Sequence, residues 1–254
     1  MIFNLLLGWV IVFGFMSVLF LIQRRTDNAG IVDFGWSSGI GLLAILFCVL
    51  GEGDIVRRVL AGVFGCVWSV RLSSYIFFHR VWRQPEEGRY VTLREKWSQF
   101  GFFIFFQVQA LLSVFFALPF LIIASDSAGL GVFDVLGVGL WLIAIGGEFM
   151  ADRQLAAFRS IPENRGHVCQ RGLWRYSRHP NYFFEWLHWW AYVLLAVGAS
   201  YWWLTVLCPL VMLFFLFKIT GIPPTEAQAL KSRGDEYREY QRTTSVFFPW
   251  FPKQ

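Results

Sequence analysis

Seven polar side chains are gathered into the fifteen residues 171–185, RGLWRYSRHPNYFFE: Arg171, Arg175, Arg178, His179, Asn181, Tyr182 and Glu185. Long apolar runs lie on both sides of them. Guanidinium groups present forks of donors that match phosphate or carboxylate oxygens. A helix start adds backbone N–H groups and the positive end of a dipole. Pro180 predicts such a start here: it disfavours the α conformation at His179 and is itself tolerated in a first turn. The expected chemistry is capture of an anion-bearing cofactor where this segment meets the apolar phase.

A second constellation is spread over the N-terminal half. Asp33 stands where RRTDNAGIVDFGWSSGIG re-enters an apolar run. It reads either as a proton donor or substrate anchor, or as an acid favoured by the dipole at a helix start. In VWSVRLSSYIFFHR, Arg71 and Tyr75 are four apart and share a helix face. Asp33 is the acid expected to pair with Arg71. Tyr75, beside that pair, is the expected proton donor, its plainer alternative being an interfacial aromatic. In the loop that follows, Arg80, Arg89 and Tyr90 suit a nucleotide phosphate and base, or else anionic lipid headgroups. Further on, Glu148 and Asp152 are four apart and share a face, with Arg159 beyond them. Asp152 suits a ribose hydroxyl or an Arg of the 171–185 segment. In the tail, Glu226, Tyr237, Tyr240 and Arg242 are expected to face the cofactor, a solvated helix being the alternative, and FFPWFP reads as an interfacial anchor. No HxxxH or CxxC spacing occurs among the four Cys and four His, so no metal site and no disulfide is expected.

The elements that must position these groups are membrane helices. The 254 residues are 56% hydrophobic and only 15% charged, where a soluble domain is closer to a quarter charged. The expected fold is all-α and polytopic, one integrated domain over 1–254, with the acid–tyrosine pair and substrate side in 1–124 and the cofactor side in 141–254. Seven spans are expected, at roughly 2–22, 34–51, 59–78, 101–124, 130–150, 181–198 and 200–217. The first is read as a retained span rather than a cleaved signal. Lys and Arg crowd the odd-numbered loops and the C-terminal tail, while the even-numbered loops carry only Arg57 and Arg58. That bias predicts an outside N-terminus, a cytoplasmic C-terminus and a site opening to the cytoplasm of a bacterial inner membrane. Nucleic acid is not an expected partner, because the basic residues lie in loops between spans; the lipid bilayer is.

GLWRYSRHPNYFFE, preceded by EFMADRQLAAFR and followed by GIPPTE and YREYQRTTSVFFP, resembles the membrane-embedded steroid 5-alpha-reductase family, in its bacterial branch catalogued as the DUF1295 domain of unknown function. The resemblance covers essentially the whole chain and is strongest over 141–249. It implies a seven-helix membrane fold that binds NADPH from the cytosolic side. It also implies hydride transfer to the β-carbon of an enone lipid, such as a 3-oxo-Δ4 steroid, with a protein acid at the carbonyl. Carried over, Asn181, Tyr182 and Glu185 belong to the cofactor pocket, as do Asp152 with Arg159, and Tyr240 with Arg242 near it. The acid–tyrosine pair maps to Asp33 and Tyr75, and Arg71 supports it. The Arg cluster, with Arg178 and Arg171, is expected to hold phosphates, so that Arg178 matters for NADPH and little for folding. Phe184 stands where the family usually has Gly, which is expected to narrow the pocket. The RHPxY element also resembles S-adenosylmethionine-dependent isoprenylcysteine and phospholipid methyltransferases, but the added NYxxE element and upstream Asp and Arg favour the reductase. A membrane scaffold with a basic headgroup face is the non-enzyme alternative.

Overall fold

The computed structural model describes residues 1–253, and among these all regular structure is helical. The nine α-helices are α1 (Ile2–Thr26), α2 (Ile31–Leu50), α3 (Ile55–Ile76), α4 (Gly88–Lys96), α5 (Gln99–Ala124), α6 (Val132–Arg159), α7 (Pro180–Ala196), α8 (Leu207–Lys218) and α9 (Ile222–Thr243). Short 3-10 turns and one π turn, Phe77–Val81, join them. The chain is an all-helical polytopic membrane protein. Six runs are long and apolar enough to cross a membrane: Ile2–Thr26, Ile31–Leu50, Ile55–Val81, Gln99–Ala124, Val132–Arg159 and Trp202–Thr243.

Six runs qualify by length and composition where about seven were expected. The odd one is α7, which starts at Pro180 as the sequence predicts but has only 17 residues. The last run also needs dissection. Its α9 portion carries eight charged side chains, so its apolar length lies in Trp202–Lys218 and α9 stands outside it. Helix α9 begins at Ile222, so Pro223 and Pro224 fall in its first turn, where no N–H partner is lost.

The chain divides into two compact units, residues 1–131 with 195–205, and residues 132–194 with 206–254. In the first, α2 sits among α1, α3 and α5. Small residues let α2 and α3 approach closely, as membrane helices without a hydrophobic drive toward each other require. A Cβ on Gly62 would lie 2.9 Å from that of Cys48, and one on Gly65 would lie 2.7 Å from that of Ala44. Ser69 Oγ donates across the same seam to the Ser37 carbonyl at 2.8 Å. Trp36 fills the space beside it, edge-on to both Trp68 and Phe116. The second unit centres on Phe247, fully buried against Phe183, Trp186 and Phe217.

The two arginines of the even-numbered loops are both structural. Arg58 donates through Nε to the Cys48 carbonyl at 2.8 Å and through Nη2 to that of Val49 at 3.0 Å, capping the end of α2. Arg57 is 3% exposed, and its guanidinium donates to the Asp126 carboxylate and to the Leu195 carbonyl. The Asp54 carboxylate caps α3 beneath it, accepting from the N–H groups of Val56 and Arg57 at 3.0 Å each. Removing one member of a buried ion pair strands the other charge. Arg57→Ala is therefore expected to cost about 3–5 kcal/mol in chemical denaturation. The double change Arg57→Met with Asp126→Leu should cost markedly less, and equal losses would refute a charge-stranding origin.

Candidate functional site

In the first unit, a turn and a helix start are built to hold Asp33. The Gly30 N–H donates to Asn28 Oδ1 at 3.0 Å, and the Ala29 N–H donates to Glu86 Oε1 at 2.7 Å. Helix α2 then opens with Asp33 in its first turn, where the dipole favours a negative charge. Helix α4 brings two side chains onto that carboxylate. Tyr90 Oη donates to Asp33 Oδ1 at 2.8 Å, and Arg89 Nη2 donates to Oδ2. The Arg89 guanidinium also lies over the Tyr90 ring, 4.6 Å from its centroid, and its Nε is 3.0 Å from Glu87. Arg80 joins through Glu87 at 3.4 Å. Arg94 fixes the loop by gripping both oxygens of Glu86, at 2.7 and 3.1 Å, and donating to Gln23 Oε1 at 3.3 Å. Tyr90 is 2% exposed, while Asp33 and Arg89 keep accessible surface. Burial, and then the Asp33 carboxylate, push the Tyr90 phenol well above its usual range, so it keeps its proton at neutral pH.

The structure thus regroups the expected trio. Asp33 pairs with Arg89 and Tyr90, not with Arg71 and Tyr75. Tyr75 is exposed on α3 and stacks on His79, their ring centroids 4.6 Å apart. Arg71 is half-buried on the same helix. The physical reason is that the loop after α3 folds back as a helix over the start of α2, a long-range return that no local periodicity encodes. Arg89 and Tyr90 accordingly both hydrogen-bond the Asp33 carboxylate in this unit.

In the second unit, the 167–178 segment is bolted down before α7 begins. The Val168 N–H donates to Glu236 at 2.9 Å, the Leu173 N–H to Gln154 at 2.8 Å, and Trp174 Nε1 to the Ala151 carbonyl at 2.9 Å. Tyr240 Oη donates to the carbonyls of Trp174 and Ser177. Glu226 gathers the rest. Its carboxylate accepts from Arg178 Nε at 2.7 Å, His179 Nε2 at 3.2 Å, Gln241 Nε2 at 2.7 Å and Tyr237 Oη at 3.4 Å. Arg178 Nη1 also donates to the carbonyls of Gln241 and Thr244, at the C-terminal end of α9, where a cation is favoured. Burial works to raise the Glu226 carboxyl, but the His179 and Arg178 hydrogen bonds, the Arg178 charge and Gln241 outweigh it and hold it at about 2. Burial, then Glu226, pushes the Tyr237 phenol up.

Arg178, His179 and Tyr237 therefore converge on Glu226, while Tyr240 is taken up by two backbone carbonyls. Arg178 was expected to hold a phosphate; three of its five N–H donors are instead taken by the Glu226 carboxylate and two carbonyls. Arg242 is exposed and paired with Glu239 at 2.7 Å. What remains for a ligand is a different subset. Asn181 Nδ2 donates to Asp152 Oδ1 at 3.2 Å, and Tyr182 Oη meets Thr225 Oγ1 at 3.2 Å. Asp152 and Arg159 are seven residues apart on one face of α6. Arg159 and Arg171 are both exposed, and both lie near enough to Cys169 for their charges to act on its thiol. Neither faces a carboxylate among the described residues. Glu185 lies on α7, one turn from His188. The ring of Phe184 rests against Gly147, where any side chain would overlap it, so α6 takes up the bulk of that Gly-to-Phe replacement.

A family described as a protein of unknown function, DUF1295, matches residues 19–244. The chain belongs to the DUF1295 family. A curated Schizosaccharomyces pombe protein described as uncharacterized is 27% identical over 224 residues, covering 76% of this chain and 64% of its own length. The chain thus spans less than two thirds of that relative. No solved structure matches.

Sequence reasoning did not single out Gln23, Glu86, Arg94 or Gln241, which hold the two clusters in place. The PEEG turn and the RHP entry were visible signals, but which acid each cation meets depends on chain returns of 8 to 56 residues. The Glu226 hub has a pH signature. Its carboxyl is held below its ordinary 4.5, so the stability it contributes is full above that value and lost as pH falls toward about 2. Melting of the purified protein between pH 6 and 3 should show this loss in the wild type, with Glu226→Gln starting less stable and losing less across the window. Parallel curves would remove Glu226 from the hub.

Proposed function

We propose that this chain is an NADPH-dependent reductase of the C=C bond of a lipid enone, such as a 3-oxo-Δ4 steroid. The observation that carries the reading is the Tyr90–Asp33 hydrogen bond of 2.8 Å, backed by Arg89, at the edge of an apolar span. A phenol that holds its proton against a carboxylate, with a cation over its ring, is an acid device suited to a carbonyl oxygen gaining charge. Methyl transfer has no comparable use for it. The resemblance of the 141–249 region to steroid 5-alpha-reductases supports the same class.

The groups left for NADPH suit its chemistry. Arg159 and Arg171, exposed and without a carboxylate, match phosphate oxygens, and the Asp152 carboxylate, oriented by Asn181, suits a ribose hydroxyl. Glu185 and Tyr182 line the same helix start. When bound, the cofactor supplies the hydride. In the first unit, Asp33, Tyr90 and Arg89 suit the carbonyl oxygen of an enone. As the β-carbon accepts hydride, negative charge builds on that oxygen. The accessible edge of Asp33 meets it. The buried Tyr90 phenol keeps its proton and orients Asp33 through its hydrogen bond to Oδ1, while Asp33 passes a proton taken up from solvent to the substrate oxygen, and the carboxylate left behind is met by Arg89. The resulting enol becomes the saturated ketone by proton transfer to its α-carbon. Arginine and lysine placement supports a cofactor site opening to the cytoplasm of a bacterial inner membrane.

The test is thermal stability with NADPH, NADH or S-adenosylmethionine, followed by enone-dependent loss of NADPH absorbance. A ligand that binds only the folded state raises the melting point. NADPH should do so, and Arg171→Ala should weaken its binding by about tenfold, in line with loss of a charge-assisted hydrogen bond. Tyr90→Phe should leave NADPH affinity intact and lower kcat by roughly a hundredfold or more. A shift with S-adenosylmethionine alone would replace this reading with methyl transfer.

A further inference from the structure

The C-terminal segment is folded into the second unit rather than left as a tail. The Arg178 N–H donates to the Ser245 carbonyl at 2.9 Å, and the Trp250 N–H donates to the Tyr176 carbonyl at 2.9 Å. Ser177 Oγ donates to the Phe247 carbonyl at 2.8 Å, and the Lys253 N–H returns to the Thr243 carbonyl at 2.8 Å. Pro249 and Pro252 restrict the backbone between these bonds. Phe247 is fully buried. Yet the residues after it turn outward: Phe248, Trp250 and Phe251 are 54, 71 and 75% exposed. Phe251 also stands edge-on to Tyr176 at 6.0 Å. A pinned backbone that presents three large aromatics is a formed surface.

The charge beside these rings has one sign. Arg175 precedes the paired Tyr176, and Lys253 follows Trp250 by three residues. Both are exposed, and neither has a carboxylate partner among the described residues. Aromatics flanked by unpaired cations fit the headgroup layer of a bilayer, where rings sit between the apolar and aqueous phases and cations meet anionic lipid. We propose that Phe248, Trp250 and Phe251, with Arg175 and Lys253, form a docking surface for the headgroups of an anionic bilayer, and that this docking holds the 176–178 segment in register. The proposal is independent of the reductase reading, because it concerns the backbone pairing and not the reaction.

Hydrogen exchange of the full chain tests it, in nanodiscs of phosphatidylcholine alone or mixed with phosphatidylglycerol. The amides of Arg178, Trp250 and Lys253 report the pairing directly. In the wild type they should exchange at least about tenfold more slowly in the anionic discs, each basic residue adding roughly a factor of five. Arg175→Gln with Lys253→Gln should abolish that lipid difference, and Trp250→Ser with Phe251→Ser should speed exchange in both discs. The charge variant leaves the buried Phe247 cluster untouched, so it carries the test if the aromatic variant does not fold. Equal exchange in the two lipids would overturn the proposal. So would protection that rises with protein concentration instead of phosphatidylglycerol, which would give the surface to a second copy.

Discussion

Glu226 draws four donors, from Arg178, His179, Tyr237 and Gln241, onto one carboxylate. Two of these sit directly before Pro180, and two lie eleven and fifteen residues along α9. A half-buried cation and a half-buried anion each carry a large desolvation cost, and only mutual contact with full hydrogen bonding offsets it. Satisfying that condition fixes where α7 starts, how the 172–178 segment lies and where α9 ends. Asn181 and Tyr182 follow the anchored Arg178 and His179 and bond to Asp152 and Thr225 instead.

The same division of labour runs through the first unit. Arg94, Glu86, Gln23 and Asn28 shape the turn before α2 and touch nothing further along the chain's chemistry. Asp33, Tyr90 and Arg89 stand on that frame, with part of the Asp33 and Arg89 surface accessible and Tyr90 buried. In both units, residues of one chemical kind split into those consumed by folding and those left to act. Six arginines of the 153–178 region look equivalent in sequence, and only their partners separate Arg178 from Arg159 and Arg171.

Much of the fold was legible because hydropathy and proline act locally. The apolar runs, the start of α7 at Pro180 and the placement of Asp33 near a helix start all follow from residues within a few positions of one another. The pairing of Asp33 with Tyr90 was not legible, since Arg71 and Tyr75 satisfied the same helix-face rule and only the return of α4 chooses between them. Likewise, the length of α7 depends on a turn after Ala196 that hydropathy does not mark. The Asp152 and Asn181 contact was not legible either, since the sequence offered Asp152 an Arg of the 171–185 segment and only two facing helices bring it to Asn181.

The contact between Phe184 and Gly147 ties two positions into one unit of inheritance. A large ring on α7 is tolerable only while α6 offers bare backbone opposite it, so neither site can drift alone. A lineage that regains a small residue at 184 is released to grow a side chain at 147, whereas one that first enlarges 147 meets a steric barrier. The order of substitutions across this seam is thereby constrained.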